Sequence, residues 1–389
     1  MEGLAPAGPP PPRGGGPAPL PVPGGRVGGA GPGGRGGAVL RGALGRGAKG
    51  VSVRTMTAAL LVLAAFTLGM DWMLESMEMR PKGIVEGLAQ SAHVPAGPRD
   101  SIEALVMATG CPKNFFLAWT TEAENFSLRY RRTVESTLKF HPAACLFVYS
   151  PTLPPDYFQN FWDLGYNVIV VRPDVHQLLR GTPAEAWLDN LDKWKNGKYF
   201  FSHITEIIRL ATLYKYGGVY LDTDVIVMRE LDKLRNCLGT ELAGAHGEAK
   251  ILNGAVLIFD KGSRFIWEGM VEFNTTYRID SWGWNGPELV TRVAARFDPN
   301  SPDLKILPTI AFYPIHWAVV KKFFTLKDMK EQHKVWMNMR ENTYLFHYWN
   351  KVTKKLVPEP GSLMYKVLNN YCLFCNETSR DDGLPIRLR

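Results

Sequence analysis

The chain has 389 residues, 46% of them apolar, enough for one large domain or two ordinary ones with accessory segments. Its formal net charge is +8, but most of the excess sits at the start, where Arg13, Arg26, Arg35, Arg41, Arg46, Lys49 and Arg54 face only Glu2. The body that follows is nearly neutral, which excludes nucleic-acid binding through a basic domain surface.

Residues 1–50 hold 18 of the 38 glycines and 10 of the 28 prolines, and almost no apolar surface to bury. Such a composition predicts a disordered basic tail, 1–54. Thr55–Met70 then carries no charge and is bounded by Arg54 and Asp71. With Trp72, Met73 and Leu74 it approaches the roughly 20 residues that cross a bilayer. Arginines before it and Asp71, Glu75 and Glu78 after it predict a cytosolic N-terminus. The expectation is a single-pass membrane signal anchor over 55–74, with the body of the chain in a lumen. A buried core helix is the alternative. A cleaved signal peptide would need a far longer charged leader than is usual, and a plastid transit peptide would be Ser-rich, whereas the first serine is Ser52.

Residues 75–112, with Pro81, Pro95 and Pro98, read as a stem, and 113–389 as one α/β domain. Asn114–Trp119 predicts a strand, Ser127–Phe140 a helix with Tyr130, Val134 and Leu138 at helical spacing, and Ala144–Tyr149 a second strand. A short helix over Pro155–Leu164 and a strand over Asn167–Val171 continue the alternation, which predicts a parallel sheet. Tyr199–Tyr216 carries the strongest helical pattern, closed by Gly217-Gly218, and Val219-Tyr220-Leu221 is a short buried strand. Ala255–Phe259 reads as a further strand and Pro287–Phe297 as a further helix. Five cysteines leave one unpaired if disulfides form, and the lone Cys372-Leu-Phe-Cys375 pair suits a local disulfide or two thiols better than zinc. Sequons stand at Asn125, Asn274 and Asn376.

Asp222-Thr223-Asp224 follows the buried strand directly. Alternate residues of an extended segment point the same way, and ligands of open α/β sheets bind at the carboxyl ends of strands. Two hard carboxylates there suit Mn²⁺ or Mg²⁺ shared with phosphate oxygens; an ordinary turn is the plainer reading of the same pair.

The segment Phe201–Val225, FSHITEIIRLATLYKYGGVYLDTDV, resembles the DXD region of glycosyltransferase family 32, and in particular its animal α-1,4-glycosyltransferases (the globotriaosylceramide synthase and α-1,4-N-acetylglucosaminyltransferase type). The likeness continues in order through Ile251–Ala255, Trp284–Val293, Ala311–Ile315 and Phe346–Asn350, and so spans 114 to about 350. The resemblance implies a GT-A fold with a mixed, mainly parallel sheet flanked by helices. It also implies a type II Golgi membrane protein with a lumenal catalytic domain, a UDP-sugar donor, Mn²⁺ (or Mg²⁺), and retention of anomeric configuration.

Position by position, the resemblance makes Asp222 and Asp224 the metal and diphosphate pair and His347 a third metal ligand. It sets Arg209 against the donor sugar, although an ion pair with Glu206 explains that arginine equally; relatives carry aspartate at the Glu206 position. Asn253 and Gly254 match the sugar pocket. Tyr220 precedes the pair, Trp349 would cover the diphosphate or sugar, and Trp119 with Thr120 and Thr121 is placed like the residues that hold uracil. Asn285 and Glu288, in the Gly-Pro block, are the candidates nearest the catalytic position beneath the sugar; an amide there fits front-side displacement better than a covalent intermediate. The expected activity moves a hexose or N-acetylhexosamine, with galactose or N-acetylglucosamine favoured, to a glycan or glycolipid acceptor. The alternatives are a mannosyl- or glucosyl-transferase acting on sphingolipid and a catalytically inactive sugar-nucleotide-binding scaffold. Trp187 and Trp194, in the loop 181–198, either stack on an acceptor sugar or pack.

Overall fold

The computed structural model describes residues 102–375. The predicted tail, anchor and most of the stem lie outside the described residues, as does Asn376. Among the described residues, no helix is long and apolar enough to cross a membrane.

The described chain opens with helix α1 (Ile102–Thr109), inside the segment read as stem, and a disulfide between Cys111 and Cys145 ties that segment to the second strand. The α/β alternation follows: β1 (Asn114–Ala118), α2 (Leu128–Phe140), β2 (Cys145–Tyr149), β3 (Asn167–Val171), α3 (Phe200–Tyr216) and β4 (Gly218–Leu221). Beyond β4 come β5 (Val225–Val227), β6 (Cys237–Ala243), β7 (Ala249–Phe259), α4 (Arg264–Thr276), α5 (Pro287–Ala294), β8 (Lys305–Leu307), α6 (Met329–Asn342), β9 (Leu345–His347) and α7 (Leu363–Asn370). The main sheet runs β3-β2-β1-β4-β7-β6-β8. The first four strands are parallel, β7 is antiparallel to both its neighbours, and β8 is parallel to β6. This is the mixed, mainly parallel sheet flanked by helices expected of the GT-A fold. The structure adds a second, two-stranded sheet made of β5 and β9.

The central strands are apolar throughout because both faces are covered. In β1, Phe115 and Leu117 pack on the face shared with α2 and the C-terminal segment, while Phe116 packs with α3. In β4, Val219 and Leu221 join the first face and Tyr220 the second. Helix α3 buries Ile204, Ile207, Ile208 and Ala211 against this second face, at the spacing a helix needs to present one stripe. It stops at Gly217, whose φ of 66° lets its N–H reach back to the Leu213 carbonyl. Gly218, at φ 115°, lies against the Asn114 carbonyl, where any Cβ would clash.

Two disulfides, Cys111–Cys145 and Cys372–Cys375, leave buried Cys237 as the free cysteine. Asn125 is exposed and Asn274 half-buried.

Candidate active site

Three elements converge at the end of β4. The Asp222 N–H donates to the Ala255 carbonyl at 2.8 Å, so the antiparallel β4–β7 ladder carries Asn253 and Gly254 alongside Asp222. Strand β5 begins at Val225, directly after Asp224, and Val225 pairs with His347 of β9. That pairing brings a histidine from more than 120 residues downstream to the aspartates. Arg209 reaches in from the middle of α3.

Asp222, Asp224 and His347 each offer one ligand atom, and these atoms lie within 4.8 Å of one another. His347 Nε2 is 3.1 Å from Asp224 Oδ1, and Nδ1 is buried without a hydrogen-bond partner among the described residues. The other oxygen, Asp224 Oδ2, accepts from the Asn350 N–H at 2.7 Å. Burial opposes ionisation of Asp224, but the His347 imidazolium and the Asn350 N–H hold its carboxyl below the usual range. Burial and the neighbouring Asp224 charge push Asp222 the other way, although Arg209 opposes them. His347 is raised: burial disfavours its charge, and the adjacent carboxylates outweigh that. Two crowded carboxylates whose charges need a nearby cation, with an imidazole nitrogen beside them, fit a hard divalent ion such as Mn²⁺ or Mg²⁺.

Arg209 organises the second half of the site. Its guanidinium is 3.0 Å from Asp222 Oδ1 and 3.4 Å from Glu206 Oε2, donates to the Gly254 carbonyl at 2.7 Å, and lies 4.7 Å above the Tyr220 ring. The ion pair with Glu206 and the placement beside Asp222 therefore coexist. Gly254 lets Arg209 pack closely: a Cβ there would stand 3.1 Å from Arg209 Nη1. Asn253 Nδ2 donates to Glu241 Oε2 at 2.7 Å, and its carbonyl accepts from the Tyr313 hydroxyl at 3.2 Å. Trp349 packs edge-on against His347 with ring centroids 4.2 Å apart, and its indole N–H donates to the Ile315 carbonyl at 2.7 Å. It fixes the imidazole in place.

Other candidates stand apart. Asn285 is 1% exposed, and its amide is taken up by the Arg278 backbone: Oδ1 accepts from the N–H at 3.0 Å and Nδ2 donates to the carbonyl at 2.6 Å. Its Nδ2 also lies 3.1 Å from His203 Nε2. Glu288 is exposed and folds back toward Gly283. The Gly-Pro block reaches the site through Gly286 instead, where a Cβ would meet Glu206 Oε1 at 2.7 Å. Trp119 is buried in an aromatic cluster with Phe126 and Tyr130, with Thr120 half-buried and Thr121 exposed beside it. Tyr130 in turn hydrogen-bonds Asn350, so Trp119 stands behind the metal-side wall. Trp187 and Trp194 pack on Tyr277, and the Trp194 N–H donates to the Trp187 carbonyl, so neither is an open stacking surface.

In the sequence, Glu206 stands out as a partner for Arg209 and as a glutamate where the family usually has aspartate. Burial, reinforced by Asp222 and opposed by Arg209, raises its carboxyl to about 7. Glu241 carries no local signal as a site residue; Tyr313 and Asn350 lie within the blocks Ala311–Ile315 and Phe346–Asn350 of the resemblance without an assigned role, and the fold brings all three together.

Residues 127–239 match the family described as glycosyltransferase sugar-binding region containing DXD motif, and residues 258–379 match the alpha 1,4-glycosyltransferase conserved region. An uncharacterised Arabidopsis thaliana protein is 37% identical over 293 residues, 72% of this chain and 44% of that protein, so the chain spans less than half its length. Rat lactosylceramide 4-alpha-galactosyltransferase is 31% identical over 279 residues, 67% of this chain and 74% of the rat enzyme. Human alpha-1,4-N-acetylglucosaminyltransferase is 26% identical over 226 residues, 55% of this chain and 62% of the human enzyme. Among solved structures, the PaToxG glycosyltransferase aligns with a TM-score of 0.36 at 14% identity, covering 67% of this chain and 86% of that one. The two matched regions contribute Asp222 and Asp224 on one side and His347 on the other, and the chain is a glycosyltransferase of the DXD-containing α-1,4-glycosyltransferase family.

Proposed function

We propose that the chain transfers galactose or N-acetylglucosamine from a UDP-sugar to a glycan or glycolipid, forming an α-1,4 linkage with retention of configuration. The observation that carries this reading is the cluster of Asp222, Asp224 and His347 with Arg209 on its flank. Asp222, Asp224 and His347 would hold Mn²⁺ or Mg²⁺, which when bound neutralises the diphosphate charge that develops as the anomeric C–O bond breaks. Arg209, fixed by Asp222, Glu206 and the Gly254 carbonyl, presents a cation that needs no reorganisation. Gly254 and Gly286 let the Glu206 and Arg209 side chains pack closely against the backbone of the site, and Trp349 keeps His347 oriented.

In the Gly-Pro block, Asn285 has its amide engaged and Glu288 faces solvent, so neither is poised as a nucleophile. This supports front-side displacement, in which the acceptor hydroxyl bonds to the anomeric carbon, the C–O bond to the diphosphate breaks on the same face, and the hydroxyl proton passes to the departing phosphate oxygen. The names of the rat and human relatives support glycolipid or glycan acceptors. The uncharged run 55–70, with arginines before it and acids after it, supports a Golgi membrane enzyme anchored through 55–74 with its body in the lumen.

The test is release of hexose or N-acetylhexosamine from labelled UDP-sugars by the purified full chain with Mn²⁺, alone and with a glycan and glycolipid array. Turnover is expected with UDP-galactose or UDP-N-acetylglucosamine, stopped by chelator. Asp222→Asn should abolish it while leaving the circular dichroism spectrum unchanged. A folded chain that binds no UDP-sugar in Mn²⁺ would remove the reading; binding without turnover on any acceptor would favour a scaffold.

A further inference from the structure

Trp282 leaves 40% of its surface in solvent, a large apolar area for a residue so near the site. It lies on the segment 281–286, which is fastened beside α3: the Ser281 carbonyl meets His203 Nε2 at 3.1 Å, and Gly286 abuts Glu206. Across the site, the exposed Lys351 follows Asn350, whose N–H holds Asp224. Lys351 Nζ stands 4.1 Å from the Trp282 ring centroid. One wall of the site carries Glu206 and Arg209, the other Asp224 and His347, and this contact joins their rims.

We propose that Trp282 and Lys351 form the acceptor subsite, which takes the terminal pyranose of a glycan. With Lys351 Nζ over one face of the indole, the pyranose would stack its C–H face on the other, and the ring supplies the apolar wall of a sugar site. Lys351 also restrains the ring at low entropic cost, so the face is preformed. Trp187 and Trp194, being packed against Tyr277, offer no such face.

The proposal rests on the glycosyl-transfer reading, and its test separates the two. The full chain, in a sugar-free detergent with Mn²⁺ and UDP, is examined by saturation-transfer NMR with methyl β-lactoside and methyl β-glucoside, and by titration calorimetry with UDP. Wild type should saturate the pyranose C–H protons; Trp282→Ala should cut the effect at least fivefold, and Trp282→Phe should restore most of it. UDP affinity should stay within twofold in both variants, and in turnover the alanine variant should raise acceptor KM about tenfold with donor KM unchanged. Saturation that survives Trp282→Ala, or its absence from a wild type that binds UDP, overturns the subsite. So does an equal loss of UDP affinity, which would make the pair a cover for the donor. Saturation that depends on Trp282 in a chain binding no UDP would keep the subsite and overturn the transfer reading.

Discussion

Glu206 is a carboxyl enclosed between Gly254, Gly286 and Arg209, and that enclosure has a pH signature. An ordinary glutamate ionises near 4.5, whereas burial lifts this one to about 7. Between those values the unfolded chain has released a proton that the folded chain keeps, so stability falls as pH rises through that window. Glu206→Gln removes the effect. In metal-free buffer its melting temperature should match wild type near pH 5 and exceed it by on the order of 5 °C at pH 7.5. Parallel melting curves at the two pH values would refute the raised carboxyl. Asn285 and Glu288 make a second contrast. Asn285→Ala removes a buried amide that ties down the part-buried Arg278 N–H and carbonyl, and should destabilise the fold by about 1–3 kcal/mol in urea titration. Glu288→Ala touches an exposed side chain and should change neither stability nor kcat by more than about twofold. A hundredfold loss of kcat at Glu288 with normal stability would restore it as a catalytic group.

At the scale of elements, the site is made by two strand pairings of unequal legibility. The β4–β7 ladder joins segments whose apolar runs are readable, Val219–Leu221 and Ala255–Phe259, although β7 extends back to Ala249. Periodicity also placed α2 and α3 within a residue of their observed starts, because each packs one continuous stripe. The β5–β9 pair had no such signal. Val225–Val227 and Leu345–His347 are three residues each, too short to show a period, and their pairing is decided by partners far away in sequence. The resemblance supplied His347; periodicity did not. Gly217-Gly218 was legible for a reason the structure extends. Gly217 caps α3, while Gly218 sits where β1 passes too closely for any side chain. Gly218→Ala is strained at the native φ of 115° and also clashes with the Asn114 carbonyl, so β4 must move off β1, which displaces Asp222. A loss of about 2–4 kcal/mol in urea unfolding, with weakened Mn²⁺-dependent UDP binding, is expected. Wild-type stability and binding in this variant would show that the close approach is dispensable.

Among the described residues, the half that carries Asp222 and Asp224 and the C-terminal half that carries His347 are fastened together around the active site. Tyr348 donates its backbone N–H to the Asp224 carbonyl and its hydroxyl to the Thr223 carbonyl, while Arg129 of α2 donates to the carbonyls of Thr353 and Leu356. Further along, Glu135 of α2 accepts from the backbone N–H groups of Leu373 and Phe374 and pairs with Arg132 at 2.6 Å, with both side chains almost wholly buried. These contacts fasten the segment carrying His347 and Trp349 to the helix that packs against the strand of the aspartates. The halves should therefore unfold together, because neither half of the metal cluster is held without the other's core. Glu135→Gln tests this. The amide keeps the shape but leaves the Arg132 charge buried without its counter-ion, which should cost about 3–5 kcal/mol. The loss should appear in one cooperative urea transition, with tryptophan fluorescence and far-UV circular dichroism coincident. If instead the C-terminal segment hangs on α2 as a separate unit, the variant will show a split transition. Its first phase would then abolish Mn²⁺-dependent UDP binding while most of the sheet remains folded.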